Sequence, residues 1–136
     1  MIKRLAHVCI GAADLDRAQE FYVDLLGMEI AFEFMRGGER IGFYLQAGAT
    51  SFIEVFAERE SRKDGQASLK HFCLEVEDID ALIAKLTAQG VDVSRKKFGA
   101  DNAWQAWITD PNGLRIELMQ YTKDSTQFTG ESVLLD

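Results

Sequence analysis

The chain contains two histidines, His7 and His71, which occupy the same place in two copies of one pattern: LAHVCIGAADLD from Leu5 and LKHFCLEVEDID from Leu69. Each copy later reaches a glutamate among apolar residues, Glu54 in FIEVF and Glu117 in RIELM. Imidazole nitrogen and carboxylate oxygen are donors that borderline first-row divalent ions accept. A lone strand histidine is ordinarily one that has found a hydrogen bond, but repetition at equivalent positions argues for a shared task.

The elements that must position these groups also occur twice. His71 follows His7, and Asp78 follows Asp14, by 64 residues, whereas Gly90 follows Gly27, Trp107 follows Tyr44 and Glu117 follows Glu54 by 63. One residue has therefore been lost inside the second helix. A repeat of this length present only twice indicates a pseudo-symmetric pair of supersecondary units rather than a solenoid. In the first unit, residues 2–10 alternate as a strand. Asp14 suits the N-cap of a helix with Ala18, Phe21, Tyr22, Leu25 and Leu26 on one face, and Gly27 suits its end. Strands follow at 29–35, 40–46 and 50–57. The second unit has a strand at 69–76, a helix capped by Asp78 with Ile79, Leu82, Ile83 and Leu86 inward, Gly90 at its close, and strands at 91–97, 103–109 and 114–121. Asp110-Pro111-Asn112-Gly113 is the tight turn between the last two. The reading is an α+β fold of two βαβββ modules, residues 1–57 and 69–121, in one domain spanning 1–121. Residues 58–68 form a charged, flexible linker and 122–136 a C-terminal tail.

Alternate strand residues point to opposite faces, which turns the repeat into a site. Ile53 and Val55 lie opposite Glu54, and Ile116 and Leu118 opposite Glu117. Val8 and Ile10, then Phe72 and Leu74, lie opposite the histidines. With the apolar sets on the helices, His7, Glu54, His71 and Glu117 line one concave surface. Carboxylates removed from water require a partner or a proton, so two at equivalent positions call for a cation. Cys9 and Cys73 share that face and read as small, reduced lining residues. Phe43, Phe52, Phe56, Trp104 and Trp107 are candidates for an apolar substrate-binding wall. Arg36, Arg40, Lys96 and Lys97 are candidates for its charged rim, Lys97 as a substrate contact.

Composition limits the partners. A chain of 136 residues forms one domain and buries roughly 70% of its unfolded surface. A net charge of −7, from 22 acidic and 15 basic residues, offers no basic face for nucleic acid. No apolar run approaches the roughly 20 residues of a membrane span, and the opening MIKRLAHV alternates like a strand rather than a leader. The expectation is a cytoplasmic protein acting on a small molecule, without nucleic-acid or membrane partners.

The segments AHVCIGAADLDRAQEFYVDLLGMEI and AWITDPNGLRIELMQ resemble the vicinal oxygen chelate (glyoxalase/bleomycin resistance/dioxygenase) superfamily, and within it the glyoxalase I-like, lactoylglutathione lyase-like branch. The resemblance covers about residues 2–121. It implies paired βαβββ modules forming a curved mixed-sheet cup, and a homodimer in which the cup forms within one chain or across two. It implies one divalent ion, Ni, Zn, Co, Mn or Fe(II), held by a histidine and a glutamate from each module at positions matching His7, Glu54, His71 and Glu117. The implied reaction isomerises the hemithioacetal of a 2-oxoaldehyde and a thiol to an S-2-hydroxyacyl thioester. The ion stabilises an enediolate, and Glu54 or Glu117 carries the proton between adjacent carbons.

Members that use glutathione commonly place arginine four residues after the first histidine and asparagine four after the first glutamate. This chain has Gly11 and Glu58 there, which leaves the thiol open. The alternatives are an acyl-CoA epimerase-like or other metal-dependent isomerase, and a metal-free drug-binding or resistance protein of the same fold. Extradiol dioxygenases use additional histidines, and this chain has none to spare.

Overall fold

Asp14 and Asp78 start both helices as the sequence suggests. The Asp14 carboxylate accepts from the backbone N–H of Asp16 and Arg17, and that of Asp78 from Ala81, each supplying an acceptor to otherwise unpaired first-turn donors. Gly27 and Gly90 end them with φ of 79° and 81°, conformations that cost a glycine little. In this computed structural model residues 5–58, 69, 71–133 and 135 are described. The start of the first expected strand and nearly all of the expected linker fall outside them.

The first half runs β1 (His7–Ala12), α1 (Leu15–Gln19) continuing as a π-helical stretch (Glu20–Leu25), β2 (Glu29–Arg36), β3 (Glu39–Gln46) and β4 (Phe52–Ala57). The second runs β5 (His71–Glu75), α2 (Ile79–Ala88), β6 (Lys97–Phe98), β7 (Trp104–Thr109), β8 (Arg115–Gln120) and a short α3 (Thr126–Thr129). Each half builds one four-stranded mixed sheet. The orders are β1-β4-β3-β2 and β5-β8-β7-β6, with the outer pairs β1/β4 and β5/β8 parallel and the others antiparallel. The α+β architecture of two βαβββ units is thus present.

The chain separates into two compact units, Met1–Ala67 with Asp110–Asn112, and Ser68–Thr109 with Gly113–Asp136. In the first, Ala18, Phe21 and Tyr22 bury with Ile10, Phe43, Leu45, Ile53 and Val55. The turn segment Asp110–Asn112 joins this unit: Tyr22 Oη donates to Asp110 Oδ2 at 2.8 Å, and Asn112 Oδ1 accepts from the Ala13 N–H at 3.0 Å. Burial, and then the Asp110 carboxylate, hold the Tyr22 hydroxyl far above its usual range, so it remains a donor. In the second unit Ile79 and Leu86 of α2 bury with Ala106, Ile108, Ile116 and Leu118.

Two expectations are corrected. The expected strand at 91–97 contracts to the two residues of β6, because Ser94 interrupts the ladder. Its N–H donates to Trp107 O at 3.0 Å, but its hydroxyl, not its carbonyl, receives the Trp107 N–H at 2.8 Å. The strand expected from residue 50 begins at Phe52, since Ser51 O is taken by the Ala47 and Gly48 N–H groups in a turn. The tail, whose course the sequence left open, turns back on its own unit. Thr122 Oγ1 and Ser125 Oγ donate to Asn102 O at 2.7 and 2.9 Å, and the Thr126 N–H donates to Asp101 O.

The residue by which the repeats differ has a place. Asp14 and Gly27 are thirteen apart, Asp78 and Gly90 twelve, and the longer helix contains the π turn while the shorter is α-helical throughout. A π turn absorbs one inserted residue without rotating the flanking chain. Deleting the exposed Asp24 should therefore leave a cooperatively melting fold with unchanged circular dichroism. Deleting the exposed Ala84 from α2, which has no surplus residue, should abolish the transition. Loss of folding on deleting Asp24 would mean that the π turn is required rather than accommodated.

Candidate metal centre

On β1, Ile10 and Ala12 are buried while His7 and Cys9 are exposed on the other face. On β4, Ile53 and Val55 are buried while Phe52, Glu54 and Phe56 are half-buried. The parallel register sets His7 beside Phe52 and Cys9 beside Glu54, and the antiparallel one sets Tyr44 beside Glu54. One face of the first sheet thus carries His7, Cys9, Tyr44 and Glu54. The second sheet repeats it, with Cys73 beside Glu117 and Trp107 beside Glu117.

Within the second unit the donors meet. His71 Nε2 lies 3.3 Å from Glu117 Oε2. Adjacent ligands of one first-row ion, with bonds of about 2.1 Å, stand about 3 Å apart, so this pair fits a chelating role. Glu117 is only 8% exposed. Burial pushes its carboxyl above the ordinary glutamate range; His71 beside it opposes that rise, and Asp101 adds to it. Partial burial and then the carboxylates of Glu117, Asp101 and Glu75 push the Cys73 thiol up to about 12. Either cause leaves a thiol, not a thiolate, at neutral pH.

Among the described residues no three histidine, cysteine, aspartate or glutamate side chains gather within reach of one ion. The ligand candidates are therefore displayed as one histidine and one glutamate on the same face of each unit.

The remaining candidates divide by strand parity. Phe52 and Phe56 flank Glu54 on its face, and Trp107 meets His71 edge-on at 4.8 Å between centroids. Trp104 belongs to the opposite face, in register with Gln120, where it packs on Phe98 and under the Lys96 ammonium. Phe43 is fully buried with the core. Lys97 is exposed in β6, beside Gln105, whereas Lys96 pairs with Asp80 at 2.7 Å. Arg40 is bound to Asp16, Glu33 and Gln19, which leaves it little freedom to meet a ligand. Two residues were not singled out as site candidates in the sequence. Asp101, in a loop, acts on Glu117 and Cys73, and no pattern marks it. Tyr44, whose hydroxyl lies 3.0 Å from His7 Nδ1, was marked only as the counterpart of Trp107.

The departure at Gly11 and Glu58 is a packed pair. A Cβ on Gly11 would run into the Glu58 carboxylate, so the side chain at 58 occupies the space a larger residue at 11 would need.

Residues 4–118 match the model of the Glyoxalase/Bleomycin resistance protein/Dioxygenase superfamily, and the chain belongs to that superfamily. It is 31% identical over 125 residues to a protein of Synechocystis sp. named Probable lactoylglutathione lyase, covering 85% of this chain and 94% of that one. It is 29% identical over 133 residues to Uncharacterized protein YaeR of Escherichia coli, covering 88% and 97%. The fold is shared with TnmS3, an antibiotic binding protein from Streptomyces sp., at a TM-score of 0.73 and 24% identity, covering 89% of this chain and 98% of that one.

Two outcomes follow. Gly11→Ala and Glu58→Ala should couple in a double-mutant cycle by about 0.5–3 kcal/mol, the pair costing less than the sum, as read from urea midpoints; strict additivity would mean the two do not touch. Glu117→Gln should raise the melting temperature at neutral pH. Between the ordinary and the raised pKa the folded state holds a proton that the unfolded state has released, so ionised Glu117 lowers stability as pH rises through that window. The advantage of Glu117→Gln should disappear below about pH 4, where both states are protonated; an equal advantage at every pH would assign it to packing.

Proposed function

We propose that the chain is a divalent-metal-dependent isomerase of the glyoxalase I kind, acting on the hemithioacetal of a 2-oxoaldehyde and a thiol. The observation carrying this reading is the duplicated arrangement of histidine and glutamate strands in one register, Cys9 beside Glu54 and Cys73 beside Glu117. His7, Glu54, His71 and Glu117 are the proposed ligands, whether the two pairs come from one chain or two. When bound, a divalent ion would polarise a substrate carbonyl and stabilise the negative charge developing on its oxygen.

The protein's own groups then move the proton. A glutamate oxygen, of Glu54 or Glu117 according to the stereoisomer, takes it from the carbon bearing sulfur and returns it to the neighbouring carbon. Phe52, Phe56 and Trp107 supply apolar surface beside these carboxylates, which excludes water from the transfer. Gly11 and Glu58, packed on one another where glutathione-using members commonly carry arginine and asparagine, favour another thiol.

A second reading, a metal-free binding protein, is favoured by the aromatic surface of the first sheet, where Phe32, Tyr44 and Phe52 stack at 4.6 and 5.2 Å. Metal content after purification without added ions, together with methylglyoxal turnover using several thiols before and after chelation, separates the two. The expected result is about one ion per pair of ligand sets, thioester formation lost on chelation, and roughly 10²–10⁴-fold lower turnover in Glu54→Gln and Glu117→Gln. Near-normal rates in both variants would remove the mechanism. Tight ligand binding indifferent to chelators would establish the second reading.

A further inference from the structure

The two imidazoles occupy equivalent strand positions but are held differently. His71 presents Nε2 to Glu117 at 3.3 Å and touches Trp107 edge-on. His7 instead has Nδ1 3.0 Å from Tyr44 Oη, with the two rings inclined at 65°. Tyr44 and Trp107 are counterparts in the repeat, each beside the glutamate of its own unit. They are not chemical equivalents. An indole N–H only donates, whereas a phenol oxygen also accepts, so only the first unit can receive an imidazole N–H at this position.

That difference determines what His7 offers. A neutral imidazole carries one N–H, and the nitrogen without it supplies the lone pair. A phenol donating to Nδ1 would leave the proton on Nε2 and close that nitrogen to an ion. A phenol accepting from Nδ1–H leaves Nε2 open. We propose that Tyr44 is a positioning residue for the metal centre: its oxygen accepts the Nδ1–H of His7 and fixes the tautomer whose Nε2 can bind a divalent ion. This rests on the four-ligand reading above.

The phenol is placed independently of the imidazole it holds. Its ring is stacked between Phe32, 4.6 Å away and inclined by 15°, and Phe52, 5.2 Å away and inclined by 30°, with Phe34 edge-on at 6.4 Å. A ring clamped on both faces keeps its hydroxyl in one direction. The same clamp accepts a phenyl ring, so Tyr44→Phe removes the oxygen and little else. Partners of this kind on metal-binding histidines typically change affinity by 10–100-fold when lost.

The test pairs nitrogen-detected NMR of the imidazoles in metal-free protein, at a pH where both are neutral, with calorimetric titration by Zn²⁺. In the wild type, His7 should be the Nδ1–H tautomer. In Tyr44→Phe it should revert toward the Nε2–H form that prevails in water, and Zn²⁺ affinity should fall about 10–100-fold. His71 should keep its tautomer in both, as an internal reference. An Nε2–H His7 in the wild type overturns the proposal without recourse to any variant. So does a Tyr44→Phe protein with the wild-type tautomer or the wild-type affinity. A wild type that binds no Zn²⁺ defeats the four-ligand reading instead, while the tautomer still decides whether Tyr44 accepts the Nδ1–H.

Discussion

Each histidine strand lies parallel to the last strand of its own unit, and the position of every candidate ligand depends on that pairing. Parallel strands cannot be joined by a tight turn, and here a helix and two strands intervene. What fixes the register is on the other face. Val8 stands beside Ile53 and Ile10 beside Val55; Phe72 stands beside Ile116 and Leu74 beside Leu118. A one-residue slip of β4 would turn Ile53 and Val55 outward and Glu54 into the core. Exposing two such side chains costs about 1.5–3 kcal/mol each, and burying an unpaired carboxylate costs several more. The core chooses the register, and the register delivers the glutamate to the histidine's face.

Duplication on this plan allows change wherever the pairing is untouched. The extra residue of the first helix is absorbed in its π-helical stretch, before the chain reaches β2, so the glutamate strand still arrives in register. Ser94 shortens β6 at the sheet edge, far in the strand order from the β5/β8 pair. Tyr44 and Trp107 diverged at a position that faces the site but makes no contribution to the buried register contacts. The two units are therefore alike in where they place histidine and glutamate and different in what surrounds them.

The order and type of elements were legible because period-two alternation, capping aspartates and closing glycines all state the same local structure. The face carrying histidine and glutamate was legible for a related reason: strand parity is a binary property, and a glutamate between two buried aliphatic residues leaves one answer. What escaped notice depends on contacts distant in sequence. Trp104 was grouped with Trp107, although three residues along a strand places them on opposite faces, and Phe43 was grouped with Phe52 although its register partner on β4 is the buried Val55. The shortening of β6 rests on one serine hydroxyl competing with a backbone carbonyl, a choice that alternation cannot register. Asp101 influences Glu117 only because the loop before β7 returns to that face.

The surroundings of Glu117 bear on what a carboxyl does at this position. A carboxyl that burial lifts above its ordinary range burdens the folded state, and His71 at 3.3 Å offsets only part of that. A glutamine there would fit the same space without the charge. Stability alone therefore does not favour glutamate at this position, whereas the proton transfer proposed above would, because a carboxyl whose pKa lies nearer neutrality exchanges protons more readily. Half-buried Glu54, in the same register place beside Cys9, lies among Phe52, Phe56 and Tyr44 rather than against a histidine. Two carboxylates equivalent by descent thus occupy unlike environments, one paired with an imidazole and one set in aromatic surface.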